Sequence, residues 1–287
     1  MAEFWGAIEA GGTKFNLAIG KGPDELIAER RVPTTSPEET LAEVISFFKD
    51  HDPVSAIGLG CFGPVDLAGG CITNTPKPGW QDFPIVPTLE NALQTPVVFD
   101  TDVNAAALAE GRWGAAKGLQ NHVYITIGTG VGGGVVVNGQ AVHGLIHPEV
   151  GHMRVKRHED DLDFEGICPF HKDCLEGLAS GPAMKQRTGV AAEHLDIEDI
   201  AWDIEAEYLA QMCHNLCLVL SPEKIVLGGG VMAKPGLLAK VQKAFVATLN
   251  GYMNVPDDGN YIQATALGGI AGLYGAFALA MDGKQAG

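Results

Sequence analysis

The most regular pattern in the chain is an apolar run, a glycine cluster and a second apolar run, over residues 125–137. Ile125-Thr126-Ile127 and Val135-Val136-Val137 are rich in β-branched residues, which predicts two strands. The five glycines between them allow a positive φ and the close approach of a ligand, and free N–H groups in such a turn can bind an anion. The pattern therefore predicts either a phosphate-binding turn or a tight hairpin that needs glycine only for its geometry.

Related patterns occur near both ends of the chain. Residues 5–9 predict a strand, Gly11-Gly12-Thr13 a turn, and the alternating apolar residues of 15–19 a return strand. A third apolar strand, over 225–227, runs into Gly228-Gly229-Gly230. Two similar hairpins indicate a duplicated half, and three glycine turns fit a nucleotide that is held at several points along a cleft.

The central glycines also satisfy a dinucleotide-binding pattern. Gly128, Gly130 and Gly133 match G-x-G-x-x-G, but that motif requires a helix after the glycines. Here an apolar strand follows, and Asn138-Gly139 is a hairpin signal. The pattern therefore argues against a nicotinamide-dependent dehydrogenase, and no stretch matches the P-loop.

A polar cluster stands where a buried strand gives way to a helix. The strand over 97–99 runs into Asp100-Thr101-Asp102-Val103-Asn104, and an alanine-rich helix follows over 105–110. Ligands of α/β folds gather at the carboxyl ends of strands, so the cluster predicts a catalytic Asp. Ordinary helix capping by Asp or Asn is the alternative. We expect the helix dipole to keep such an Asp ionised.

Length and charge restrict the possible partners. The 287 residues suffice for two modest domains, and 35 acidic against 19 basic residues give a formal charge of −16 without any Lys/Arg cluster. This balance argues against nucleic acid as a partner. The first five residues lack the basic region of a signal peptide, which predicts a cytoplasmic protein. The most apolar segment, 264–281, predicts a buried helix rather than a membrane anchor.

One cluster has the spacing of zinc ligands. Cys168, His171 and Cys174 form C-x2-H-x2-C, and a structural zinc requires a fourth protein ligand. By position, His152 and His158 are the nearest candidates, and His147 is more distant. The cluster predicts a zinc site that ties down the charged loop over 156–165, and a chance group of thiols is the alternative.

Taken in order, these motifs resemble those of the ROK sugar kinases, and the Cys-Pro-Phe-His-x-x-Cys loop resembles the bacterial fructokinase branch. The matching stretches span nearly the whole chain: 9–14, 102–104, 127–134, 149–152, 168–176 and 227–231. The resemblance implies an α/β, actin-like ATPase (ribonuclease H-like) fold with two domains around a cleft. The N-terminal α/β domain would comprise 1–112 plus 266–287, and the second domain 113–265.

The resemblance also implies roles for individual residues. Asp102 would be the general base. The substrate-binding positions are Gly63, Pro64, Asn104, Glu149, His152 and Glu176. The ATP-binding positions are Gly11, Gly12, Thr13, Lys14, Thr129, Gly130, Gly229 and Gly230. The zinc positions are His152, Cys168, His171 and Cys174. The first phosphate motif of the family usually begins with Asp, whereas this chain has Glu9, which changes the surroundings of Mg²⁺.

The activity that the resemblance implies is the ATP- and Mg²⁺-dependent phosphorylation of a hexose, with D-fructose giving fructose 6-phosphate. A manno- or glucokinase of the same family is an alternative, and a sugar sensor that has lost catalysis is another. The sensor has no need of a base at Asp102. The chain shows no N-terminal helix-turn-helix of the kind that repressor members carry. The family also suggests a homodimer.

Overall fold

A computed structural model describes residues 3–256 and 259–283. The chain divides into two compact units, the first comprising Met1–Arg112, His143–His147 and Gly269–Gly287, and the second Trp113–Val142 and Pro148–Gly268. The predicted second domain contained residues 143–147, but this segment belongs to the first unit, where His143 contacts Asp100. The last part of the first unit begins at 269 instead of 266. Residues 1–2, 257–258 and 284–287 of the predicted domains lie outside the described residues.

Twelve strands and eight α-helices are found in the described residues. In chain order they are β1 (Trp5–Ala10), β2 (Lys14–Gly20), β3 (Leu26–Pro33), α1 (Pro37–Lys49), β4 (Ile57–Cys61), β5 (Val65–Asp66), β6 (Cys71–Ile72), α2 (Ile85–Leu93), β7 (Val97–Thr101), α3 (Asp102–Trp113), β8 (His122–Ile127), β9 (Val131–Val137), β10 (Gln140–Ala141), α4 (Leu175–Ala179), α5 (Gly181–Thr188), α6 (Ile200–Leu220), β11 (Lys224–Gly228), α7 (Leu237–Leu249), β12 (Ile262–Ala264) and α8 (Ala271–Gly283).

Each unit contains a five-stranded sheet, and the two sheets have the same topology. The order is β3-β2-β1-β4-β7 in the first unit and β10-β9-β8-β11-β12 in the second. In both sheets the first two pairings are antiparallel and the last two are parallel. The predicted α/β class is confirmed, and the shared topology agrees with a duplicated half.

The turn in the central glycine cluster is shorter, and contains fewer glycines, than the sequence predicted. Only Gly128 and Gly130 lie in the turn between β8 and β9, and Gly132–134 lie inside β9. A Cβ at Gly133 would lie 2.4 Å from a methyl of Val150 and 2.6 Å from Cδ1 of Ile125. Close packing on β9 therefore requires glycine at this position. No helix follows the glycines, and this agrees with the rejection of a dinucleotide-binding motif.

The apolar segment near the C-terminus forms α8, which is buried against β1 and β4 of the first unit. The helix begins at Ala271, after a short 3₁₀ turn over Gly268–Ile270. Among the described residues, no helix combines the length and the apolar character that crossing a bilayer requires. The prediction of a buried helix is confirmed.

Candidate active site

The candidate catalytic residues of the first unit lie at one edge of its sheet. The parallel strands β1, β4 and β7 run in register, with Glu9 beside Gly60 and Gly60 beside Asp100. Their carboxyl ends therefore bring together Glu9, the Gly63-Pro64 loop after β4, and Asp102 after β7. Ligands of α/β folds bind at this edge of a sheet. This placement follows from the topology, which the local pattern of each strand does not reveal.

Asp102 is half-buried at the first position of α3. Its Oδ1 accepts a hydrogen bond of 2.9 Å from the N–H of Val103. The pKa of Asp102 is raised to about 7, chiefly by burial and to a smaller extent by the negative charge of Glu9, while backbone N–H groups and His147 oppose the rise. The expectation that the helix dipole keeps this Asp ionised does not hold near neutral pH, because the effect of burial on the pKa outweighs that of the backbone donors.

Asn104 lies two residues further along α3 and is fully buried. Its Nδ2 donates a hydrogen bond of 2.8 Å to Asp100 Oδ1, and Asp100 Oδ2 lies 2.9 Å from His143 Nε2. Asn104 Oδ1 is buried and has no hydrogen-bond partner in the described part of the chain. Asp100 belongs to the polar cluster in which a catalytic Asp was predicted, whereas no role was predicted for His143. No local signal could identify His143, since it follows Asn104 by 39 positions.

The predicted phosphate turn joins β1 to β2. Gly11 N–H donates to the carbonyl of Lys14 at 3.0 Å, which closes the turn, and the Thr34 hydroxyl donates to the carbonyl of Gly11 at 2.7 Å. A Cβ at Gly12 would meet nothing within 4 Å, so open space lies beside the turn there. The ammonium of Lys77, for which no role was predicted, donates to the carbonyl of Gly12. Lys14 and Lys77 thus provide two positive charges at the turn.

Glu9 is half-buried, and the residues around its carboxylate leave room for a Glu side chain. Asn16 Nδ2 donates to Glu9 Oε2 at 2.6 Å, and Arg31 Nε donates to Asn16 Oδ1 at 3.3 Å. On the other side, a Cβ at Gly272 in α8 would lie 2.4 Å from Glu9 Oε1. Glycine at 272 therefore leaves room for a side chain one methylene longer than Asp.

A separate cavity of about 810 Å³ lies in the second unit, where β8 and β11 end. Its lining includes Thr129 and Gly230, both predicted to bind ATP, and the cationic side chains of Lys185 and Lys234. The neighbouring Gly229 has φ +91°, and a Cβ there would lie 2.2 Å from the carbonyl oxygen of Ile127. Only glycine allows the two strand ends to approach so closely.

Glu176 lies in the second unit, in the first turn of α4. Its Oε2 accepts a hydrogen bond of 3.0 Å from the N–H of Val131, and a Cβ at Gly130 would lie 2.6 Å from the same oxygen. The predicted sugar ligand Glu176 therefore lies against the predicted phosphate turn. Glu149 is exposed, and its carbonyl accepts a hydrogen bond of 3.0 Å from the N–H of His152.

Four residues of the second unit form a candidate metal centre. The ligand atoms of His152, Cys168, His171 and Cys174 all lie within 4.8 Å of one another. His152 Nδ1 is 3.5 Å from Cys174 Sγ and 3.8 Å from Cys168 Sγ. Two thiols and two imidazoles are a zinc donor set, and four protein ligands are typical of a structural site.

The spacing alone left three histidines as candidates for the fourth ligand. Of these, His152 lies in the cluster with Cys168, His171 and Cys174. His158 Nε2 is instead 3.3 Å from Glu207 Oε2, and His147 is not one of the clustered residues in the described part of the chain. Because His152 faces the thiols through Nδ1, its Nε2 remains for another partner.

Comparison with known proteins gives a family for the chain. The model of the ROK family matches residues 5–283. A fructokinase of Lactococcus lactis subsp. cremoris is 49% identical over 89% of this chain and 89% of its own length. A fructokinase of Zymomonas mobilis subsp. mobilis is 46% identical over 99% of this chain and 98% of its own length.

The fold also has close solved counterparts. The ROK hexokinase from Thermus thermophilus superposes with a TM-score of 0.86, covers 99% of this chain and 100% of its own, and is 29% identical. Together with the two repeated sheets, this similarity confirms the predicted actin-like ATPase fold.

Proposed function

The chain belongs to the ROK family, and on this premise we propose that it is a sugar kinase that transfers the γ-phosphoryl group of ATP to D-fructose, giving fructose 6-phosphate. The observation that carries the reaction type is Asp102, a half-buried carboxyl with a pKa of about 7 at the carboxyl edge of the first sheet. The fructokinases at 49% and 46% identity support the choice of fructose. The position of the phosphorylated hydroxyl comes from the family.

Asp102 acts as the general base in this proposal. Phosphoryl transfer depends on positioning, on neutralising charge and on a group that accepts the hydroxyl proton. A base is most effective when its pKa lies near the working pH, since it is then ionised before the transfer and retains affinity for the proton. The sensor alternative gives no reason for such a carboxyl.

The second unit supplies the nucleotide site. The cavity at Thr129 and Gly230 is large enough for an adenosine moiety, because ligand pockets commonly measure about 300–1,000 Å³. Lys185 and Lys234 outnumber the single acidic residue of its lining, Glu193, and leave a net positive charge that suits phosphates. In the first unit, the Gly11–Lys14 turn, with Lys14 and Lys77, provides a second place for phosphate.

The sugar ligands follow the resemblance, and each has suitable chemistry. Asn104 offers a buried oxygen that has no partner among the described residues, His152 faces the thiols through Nδ1, and Glu176 accepts a hydrogen bond from Val131 through Oε2. Carboxylate and amide oxygens accept hydrogen bonds from sugar hydroxyls. Glu149, Gly63 and Pro64 complete the proposed set.

Mg²⁺ would be held near Glu9, because a carboxylate oxygen is the ligand type that this ion prefers. When bound with ATP, the ion neutralises charge on the phosphates. Asn16 holds the carboxylate of Glu9 by a hydrogen bond and glycine at 272 leaves room for it, so this chain retains a defined carboxylate position although the usual Asp is replaced.

Replacing Gly272 with Ala is expected to weaken divalent-ion binding when residue 9 is Glu, but not when it is Asp. The added methyl would overlap Glu9 Oε1 while Asn16 holds Oε2, so the carboxylate must move. We expect a coupling of about 0.5–3 kcal/mol between Gly272→Ala and Glu9→Asp. Titration of Mn²⁺ with ADP, followed by electron paramagnetic resonance, measures it. Simple additivity of the two substitutions would contradict the fit.

We further propose that the Cys/His centre of the second unit holds a structural zinc ion. The four side chains match zinc in donor type and number. By the same resemblance the protein is a homodimer, which light scattering after gel filtration tests. We expect it to act in the cytoplasm, where ATP is available.

The function is tested by a coupled assay of ATP consumption with Mg²⁺ against fructose, mannose, glucose and N-acetylmannosamine. Strong preference for fructose is the expected result. Preference for another hexose would retain the reaction and change the substrate. No turnover by the folded protein on any of the four would favour the sensor.

A further inference from the structure

Three side chains of the first unit form a polar network at the start of α3. Asp100 is only 3% exposed, and its Oδ1 accepts from the N–H of Thr101 at 2.7 Å and from Asn104 Nδ2 at 2.8 Å. Its Oδ2 lies 2.9 Å from His143 Nε2. Both carboxylate oxygens are therefore engaged, as a buried carboxylate requires.

This arrangement fixes the orientation of the Asn104 carboxamide. A carboxylate only accepts hydrogen bonds, so the amide atom that faces Asp100 must be the donor Nδ2. The carbonyl oxygen Oδ1 must then point away from Asp100. It is buried and has no partner within the described residues, so an acceptor is left for an external hydroxyl.

His143 lies in the short segment 143–147 and is the third member of the network, in contact with Asp100. The ring nitrogen Nε2 donates to Asp100, since it faces a carboxylate oxygen at 2.9 Å. The same nitrogen is 3.3 Å from Asn104 Nδ2, so the imidazole lies directly beside the carboxamide. The side chain is 39% exposed, which leaves part of the imidazole accessible to solvent.

We propose that Asp100 and His143 are positioning residues for the sugar. Asp100 orients the Asn104 carboxamide, and His143 holds Asp100 in place, so that Asn104 Oδ1 is presented to a hexose hydroxyl. The inference rests on the proposed function, because it takes a sugar as the partner of Asn104. It adds to that function two residues that act on binding through a third.

A structural role alone would give a different result. If the network only stabilised the start of α3, loss of the His143 hydrogen bond would lower thermal stability and affect both substrates alike. A positioning role instead weakens sugar binding selectively, and another side chain that donates at the same place restores it.

The test compares His143→Phe with His143→Gln in the full-length protein. Phe keeps a ring but removes the donor, whereas Gln retains an N–H donor. We expect His143→Phe to raise KM and the calorimetric Kd for fructose about tenfold, as for a lost hydrogen bond to a charged group. The KM for ATP and the Tm should hardly change, and His143→Gln should bind fructose nearly as the unsubstituted protein does.

His51→Phe serves as a matched control, since His51 belongs to the same unit and bonds to the carbonyl of Phe47. Unchanged fructose affinity in His143→Phe would overturn the positioning role, as would equal losses in His143→Phe and His143→Gln. If the unsubstituted protein binds no hexose at all, the proposed function fails together with this role. If the unsubstituted protein binds fructose and His143→Phe binds it equally well, only the positioning role of His143 is excluded.

Discussion

Asp102→Asn is expected to lower kcat by about 10²–10⁴-fold, the usual contribution of a general base. Asn has the same shape, and its Oδ1 can still accept from the N–H of Val103, so α3 keeps its start. What the variant lacks is a group that can accept the hydroxyl proton. Affinities for fructose and ATP, measured by calorimetry, should remain close to those of the unsubstituted protein.

Asp66→Asn is a suitable control for this substitution. Asp66 belongs to the same unit, is exposed on β5, and accepts from the N–H of Ala68 at 3.1 Å. Its replacement removes a carboxylate without altering the candidate site and should leave kcat unchanged. Near-normal turnover of Asp102→Asn would exclude Asp102 as the base.

The pH dependence gives a second observation on the same group. Catalysis needs the ionised form, and the pKa of Asp102 is about 7 in the free protein. Therefore kcat/KM should be level above pH 7 and fall about tenfold per unit below it. Glu9→Gln removes a negative charge that raises this pKa, so its acid limb should move to lower pH. A limb near pH 4 in the unsubstituted protein would contradict the assignment.

The strands were predictable because each depends on a local pattern. Alternating apolar residues and Gly11-Gly12-Thr13 specify the β1–β2 hairpin, and Asn138-Gly139 specifies the turn after β9, where both residues have positive φ. Three members of the Cys/His cluster were also predictable, since their spacing is local. The resemblance, not the spacing, assigned His152 as the fourth.

The properties that the sequence did not reveal depend on contacts between distant positions. Three glycines that lie inside β9 were predicted to belong to a turn. The contact that requires glycine at position 133 comes from Val150, which is distant in sequence and gives no local signal. The pKa of Asp102 was misjudged because burial is a property of the folded unit. The contact of His143 with Asp100 required the topology to be known.

Cys174→Ser is expected to remove zinc and to destabilise the second unit strongly. Cys174 is fully buried and immediately precedes α4, whose Glu176 accepts from the N–H of Val131. Binding of structural zinc is worth about 10–16 kcal/mol in zinc-finger peptides, so even a third of this value would lower Tm by about 10 °C or more. Elemental analysis and thermal unfolding measure the two effects.

The consequence for function follows from the position of α4. If the metal fixes Cys174 and His152, its loss should displace Glu176 and the Nε2 of His152 and raise KM for fructose. Cys71→Ser is the matched control, because Cys71 lies in the other unit and its thiol donates to the carbonyl of Gly69 at 3.1 Å. If protein purified without chelator contains no zinc, the metal assignment is contradicted. Cys174→Ser with unchanged Tm and unchanged KM would show that the four side chains do not serve as a structural centre.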